Sequence, residues 1–199
     1  REAASAGASP CVVTFRNHPR TVLSPEVVIP TLTPVEERTR LLHELGIEVV
    51  APITFTSELS QVTAADFVAL LQKHLRMRGL VVGPNFALGH NRQGTPDFLK
   101  ALGEEVGFTV TVADFLLEGG ARVSSTLIRD ALAYGDLDAV SRYLGKNFTL
   151  VGGVVHGEGR GGRELGYPTA NLSVEADQAL PPDGIFATWA YVDEVQFRA

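Results

Sequence analysis

The sequence predicts an α/β protein, a Rossmann-like domain with a parallel sheet followed by the start of an antiparallel β-barrel domain, on three observations. Up to about Gly145, short β-branched apolar runs alternate with longer amphipathic ones, as strands joined by crossover helices require. The longer runs open on helix caps. After Gly145 the helical periodicity ceases and alternating segments around a glycine-rich loop replace it. A chain of 199 residues accommodates one to two domains of about 150 residues. With no long linker in view, Gly145-Lys146 reads as a tight junction between domains at 1–145 and 146–199.

In chain order, Arg1 to Ala8 reads as the tail of a helix feeding a strand at Cys11 to Phe15. Further strands are predicted at Glu48 to Phe55, Leu80 to Val82 and Phe108 to Ala113. Helices are predicted at Pro34 to Leu45, Ala64 to Arg76 and Pro96 to Val106, with Phe67, Leu70, Leu71 and Leu75 at helical spacing. Thr63 precedes one with Asp66 in its first turn, and Thr95-Pro96-Asp97 gives another a cap and a proline at the first helical position. Helices at Ser125 to Ala133 and Asp136 to Leu144 close this half. Beyond it, Asn147 to His156 and Ile185 to Val192 read as β, and the short second domain would be hard to stabilise alone.

Composition excludes several classes. With 17 Lys and Arg against 23 Asp and Glu, the net charge of -6 offers no broad footprint for nucleic acid or anionic membranes, so any phosphate must be held locally. Cys11 is the single cysteine, which rules out an internal disulfide or a Cys-pair zinc site within this sequence and fits a reducing cytoplasm. No apolar run approaches the roughly 18 residues of a membrane span, and residues 1–10 lack the apolar core of a signal peptide. The expectation is a cytoplasmic protein, without nucleic acid or membrane partners and of undetermined oligomeric state.

The sharpest motif is Arg122-Val-Ser-Ser-Thr-Leu-Ile-Arg129. Ser125 is expected to cap the helix it opens, whose free N–H groups and positive dipole end form an anion site with Thr126. Arg129 leans back toward the same point from one turn along, where a cation opposes the dipole unless an anion binds. A plain serine cap with a solvated arginine is the competing reading.

Val81-Val-Gly-Pro-Asn85-Phe86 ends a strand, and ligands of open parallel sheets bind beyond such ends. There Phe86 could stack on a planar ring and Asn85 could read its edge; the competing reading makes Phe86 a core plug. His18-Pro19 follows the first strand in the same way, and His43 and His74 are expected at helix surfaces. In the second domain, Gly157, Gly159, Arg160, Gly161, Gly162 and Arg163 could wrap an oligophosphate. Thr169 and Asn171 then offer hard oxygens two residues apart, on one face of a strand, as a shared Mg2+ needs. A flexible hairpin followed by an ordinary turn competes with that reading. The loop is no P-loop, because it lacks the Gly-Lys-Ser/Thr ending.

Taken in order, Val13-Thr-Phe with His18-Pro-Arg20, Val82-Gly83 with Asn85-Phe86 and Gly89, Ser124 to Thr126 with Ile128-Arg129, and Gly153 to Gly157 through Leu165-Gly-Tyr-Pro-Thr-Ala-Asn171 resemble the bifunctional bacterial riboflavin kinases/FMN adenylyltransferases. The resemblance runs through nearly the whole chain, and its serine-threonine-arginine and Pro-Thr-Ala-Asn runs are its specific parts. It implies phosphorylation of riboflavin by ATP to FMN, then adenylylation of FMN to FAD and pyrophosphate. It assigns Arg122, Ser125, Thr126 and Arg129 to the ATP phosphates of the adenylyl site. His18, Asn85 and Phe86 would form the flavin and nucleotide pocket, residues 157–163 the kinase ATP loop, and Thr169 and Asn171 the Mg2+ ligands.

The departures are equally definite. No His-x-Gly-His occurs, the family's kinase glutamate lies farther downstream than this sequence reaches, and Arg16-Asn17 and Asn85 replace an acidic-proline pair and an aspartate found in many relatives. No catalytic residue is therefore assigned. The expectation is a fragment, inactive as it stands, lacking about forty residues before Arg1 and the rest of the barrel after Ala199. A monofunctional nucleotidylyltransferase with an accessory β domain and a degenerate flavin- or nucleotide-binding module remain alternatives.

Overall fold

Two parallel strand pairs, each spanning a crossover helix, organise the first half of the chain in the computed structural model, which describes residues 2–156, 170–192 and 195–199. After a short helix α1 (Glu2–Ser5), β1 (Cys11–Phe15) pairs with β2 (Val49–Ile53), Cys11 opposite Val49 and Phe15 opposite Ile53. Between them lie α2 (Pro19–Leu23) and α3 (Val35–Glu44), and α3 packs on β2. A single turn α4 (Ser57–Ser60) leads to α5 (Ala64–Leu75) and β3 (Gly79–Val82). Strand β3 pairs in parallel with β4 (Thr109–Val112), and the intervening α6 (Pro96–Val106) packs on β4.

The predicted caps form. Thr63 Oγ1 accepts from Asp66 N, and Thr95 Oγ1 from Phe98 N. The core under β3 and β4 is Val68, Leu99 and Phe108, surrounded by Met77, Leu80, Leu88, Leu102 and Val110. Burying a side chain such as Leu99 contributes about 1.5–3 kcal/mol. Gly103 admits this packing, because a Cβ there would collide with the Phe108 carbonyl oxygen.

Spatial contacts divide the chain into two units, each drawing sequence from both sides of Gly145: Arg1–Val123 with Thr149–Gln178, and Ser124–Phe148 with Ala179–Ala199. The first also holds the hairpin β5 (Leu117–Glu118) and β6 (Ala121–Arg122), and the antiparallel pair β7 (Gly153–Val155) and β8 (Asn171–Ser173). In the second, α7 (Ser125–Ala133) and α8 (Leu137–Leu144) turn on Gly135 at φ 75° and pack through Ile128, Leu132, Ala139 and Val140. Its strands β9 (Trp189–Val192) and β10 (Val195–Arg198) pair antiparallel.

Three expectations change. The strand expected at Asn147 to His156 shrinks to Gly153–Val155, because its partner β8 is only Asn171–Ser173. The one expected at Ile185 to Val192 starts only at Trp189, opposite Arg198. The cap of α7 is Ser124, not Ser125: Ser124 is extended at φ -149° and its Oγ accepts from Leu127 N at 3.2 Å, leaving Ser125 as the first helical residue. The fold is thus mixed α/β with parallel pairs, and its antiparallel ladders are three separate two-stranded pieces among the described residues. No helix among them is long and apolar enough to cross a membrane.

Candidate functional site

Two loops leave the carboxyl ends of the parallel strands β3 and β4 and line one open, shallow cavity of about 340 Å3. Gly83, Pro84, Asn85 and Phe86 follow β3, while Asp114, Phe115 and Leu116 follow β4. The chain then makes the β5–β6 hairpin through Gly119 and Gly120, both at positive φ, 58° and 81°. That is the two-glycine turn matching the strand twist, and it carries Arg122 back to the same cavity. There the Arg122 guanidinium lies 4.0 Å from the centroid of the Phe115 ring. A cation stacked on an aromatic face is held in place without losing its charge. Phe86 is 38% exposed and lines the cavity, so it is not the core plug of the competing reading.

The polar loop after Phe86 is pinned from behind. Gly89 sits at φ 75° where a Cβ would strike the Ala64 backbone nitrogen; His90 N donates to Val62 O at 2.8 Å, and the His90 ring contacts Ser60 O at 3.0 Å. Asn91 and Arg92 are both left-handed, at φ 52° and 57°, a conformation asparagine adopts readily and arginine at a cost of about 1–2 kcal/mol. Arg92 reaches back to the Asn85 carbonyl at 3.4 Å.

A second cavity, about 200 Å3, lies beyond β1 and is lined by Asn17, His18, Thr21, the Pro25 to Thr31 segment and Asp177. His18 caps α2, its Nδ1 accepting from Arg20 N at 3.1 Å. Asn17 clasps the loop after β2, donating to Phe55 O at 2.9 Å and accepting from Phe55 N at 2.8 Å. Arg38 of α3 holds the end of β1 through Thr14 Oγ1 at 2.8 Å and Phe15 O at 3.0 Å, and burial pushes its guanidinium below the ordinary value. The two cavities share no lining residue. The predicted flavin and nucleotide residues are accordingly divided, Asn85 and Phe86 in one and His18 in the other.

The predicted phosphate residues are divided as well. Arg122 belongs to the first unit, and Ser125, Thr126 and Arg129 to the second. At the start of α7, Ser125 and Thr126 occupy the positions whose N–H groups have no acceptor within a helix. Arg129 is half-buried, and burial lowers its pKa while neighbouring Asp130 raises it. Arg129 is thus partly shielded from solvent, while the serines and Thr126 beside it stay at the start of the helix. His43 and His74 are exposed on α3 and α5, as expected.

Residues 157–163 and Thr169, predicted for a kinase ATP loop and Mg2+, lie outside the described residues. Asn171 opens β8 opposite Val155 and is exposed. Its amide oxygen is a hard donor of the kind Mg2+ accepts beside phosphate oxygens. No group of three or more His, Cys, Asp or Glu suited to a metal occurs among the described residues.

Sequence reasoning missed Phe115 and Asp177. The rule that found Asn85 after β3 applies equally after β4, where Asp114-Phe115 stands. Asp177 left no signal near it.

The chain matches the family model described as FAD synthetase over residues 1–127 and the one described as riboflavin kinase over 144–199. It is 37% identical to a bifunctional riboflavin kinase/FMN adenylyltransferase of Escherichia coli K12, across 88% of this chain and 56% of that protein. Relatives of the same description in Pseudomonas fluorescens and Bacillus subtilis are 36% and 30% identical, covering 94% of this chain and 60% and 59% of themselves. The chain therefore spans somewhat over half the length of these curated relatives. Among solved structures, one from Streptococcus pneumoniae described as a macrolide-efflux protein superposes with a TM-score of 0.87 at 28% identity, over 99% of this chain and 64% of that one.

Proposed function

This chain belongs to the FAD synthetase family, and from that premise we propose that the full-length protein makes FMN from riboflavin and ATP, then FAD and pyrophosphate from FMN and a second ATP. The observation that carries the proposal is the succession of the two family matches along one chain, 1–127 then 144–199. We assign adenylylation to residues 1–145, read as a Rossmann-like domain, and phosphorylation to a β-barrel beginning within 146–199. The small-molecule substrates and the single cysteine suit a cytoplasmic setting.

Adenylylation is an in-line displacement. An FMN phosphate oxygen attacks the α-phosphorus of ATP, and the bond to pyrophosphate breaks. The protein's work in such a step is positioning and charge neutralisation. Asn85, Phe86 and Phe115 suit a planar ring, whose face stacks on an aromatic while its edge meets the amide. By the family resemblance, Arg122, Ser125, Thr126 and Arg129 are each assigned to the ATP phosphates, as groups whose charge or free N–H suits an anion. His18 is assigned to the flavin side from its cavity beyond β1.

In the kinase half, a riboflavin hydroxyl attacks the γ-phosphorus of ATP, the bond to ADP breaks and the hydroxyl proton is released, and Gly157, Gly159, Arg160, Gly161, Gly162 and Arg163 are assigned to hold the ATP phosphates. Thr169 and Asn171 would hold Mg2+, which when bound neutralises the oxygens of the transferred phosphoryl group. Chromatography of the full-length protein with riboflavin, ATP and Mg2+ should show FMN and then FAD. Thr169→Ala or Asn171→Ala should abolish FMN formation and spare FAD formation from supplied FMN. Equal loss of both activities in a folded variant contradicts the two-site assignment.

A further inference from the structure

The wall of the His18 cavity is fastened by a residue far away in sequence. Thr31 N donates to the Asp177 carbonyl oxygen at 2.7 Å, and Thr31 Oγ1 donates to Asp177 Oδ2 at 3.0 Å, across 146 positions. Thr31 also forms an isolated parallel bridge with Gln178. Gln178 is buried at 5% exposure, and neither its amide nitrogen nor its amide oxygen has a partner among the described residues. Burying an unpaired amide is unfavourable, so that side chain does not by itself explain why the strand segment docks here. The bonds from Thr31 supply the attachment that it does not.

Both sides of the clasp bear on the cavity. Pro25, Val27, Val28, Ile29 and Thr31 line it from one segment, and Asp177 lines it from the other. Asp177 lies shortly after β8, the strand that opens with Asn171.

We propose that Asp177 is a positioning residue for the ligand of the His18 cavity: by clasping Thr31 it fixes the Pro25 to Thr31 wall, so a pocket serving adenylylation is completed from the stretch matched to riboflavin kinase. This rests on the reading that the His18 cavity serves the flavin substrate. The clasp transmits position and takes no part in the chemistry. Loosening it weakens flavin binding and leaves the chemical step intact.

The test is a double-mutant cycle in the full-length protein with Thr31→Val, Asp177→Ala and the pair, plus Asp177→Asn. FMN affinity is read by quenching of flavin fluorescence, and KM and kcat for FAD formation are read separately. Because the side-chain bond is exposed, each single variant should weaken FMN binding about two- to fivefold and raise KM alike, with kcat unchanged. The pair should be no worse than either single variant, and Asp177→Asn, whose amide oxygen still accepts from Thr31, should retain most of the affinity. Wild-type FMN affinity in both single variants, or additive losses in the pair, overturns the clasp. A fall in kcat and melting temperature with KM unchanged also overturns it. Absence of FMN binding and FAD formation in the wild type would instead overturn the functional reading on which it rests.

Discussion

The starts of α5 and α6 differ from the start of α7 in one physical respect. Thr63 and Thr95 cap the first two, and Asp66 and Asp97 place a carboxylate against the positive end of each dipole. Helices α3 and α8 likewise carry Glu36 with Glu37 and Asp138 in their first turns. Among the described helices of eight or more residues, α7 alone has no acid in its first turn, and instead a half-buried Arg129 follows one turn on. Its cap is intact, because Ser124 binds Leu127 N as Thr63 binds Asp66 N. What α7 lacks is an acid in its first turn. The helices α3, α5, α6 and α8 supply an acid to their own first turns, and the one that does not is the one carrying the serine-threonine-arginine run.

Supplying the missing acid should break the comparison most severely. Thr126→Glu puts a carboxylate in the first turn of α7, which should stabilise the helix by about 0.3–1 kcal/mol. The same charge repels a nucleotide phosphate, so adenylylation in the full-length protein should fall about a hundredfold. Thermal melts and FAD formation therefore move in opposite directions. A more stable protein with unchanged kinetics would make the start of α7 equivalent to those of α5 and α6.

A smaller change sharpens the role of the cation. Arg129→Lys keeps the charge and loses the planar fork, so about a tenfold loss of adenylylation is expected at unchanged melting temperature. Full activity would reduce Arg129 to a source of charge alone.

The smallest effects separate capping from function. Thr63→Ala and Thr95→Ala should each cost about 1 kcal/mol in denaturant unfolding and leave adenylylation kinetics at the wild-type level. Ser124→Ala should cost a similar amount of stability and also slow adenylylation, because the first turn it orders is the one assigned to phosphate. Identical kinetic behaviour of the three caps would erase the distinction.

Legibility of the sequence followed the range of the interaction concerned. Strands β1 to β4 and helices α3 and α5 to α8 were readable because apolar spacing and caps are local signals, as with Thr63 and Phe67 to Leu75. The β5–β6 hairpin escaped because two-residue strands carry no alternation, although Gly119-Gly120 is a turn signal by itself. Ser124 and Ser125 are equally good caps in composition, and only the extended backbone of Ser124 decides between them. Asn85 and Phe86 were found by the rule that places ligands beyond strand ends, and Phe115 would have followed from the same rule. The Thr31–Asp177 clasp was out of reach, because a contact between exposed side chains 146 positions apart leaves no periodicity to read.

The central claim is that the start of α7 holds a nucleotide phosphate, and steady-state FAD formation by Arg129→Ala in the full-length protein tests it most directly. A charge-assisted bond contributes about 1.5–3 kcal/mol, so the rate or ATP affinity should fall about ten- to a hundredfold. Melting temperature should stay level or rise, since removing a cation near the helix start relieves its opposition to the dipole. Wild-type kinetics in that variant would contradict the claim, remove Arg129 from the site and leave α7 a capped helix with a packing arginine.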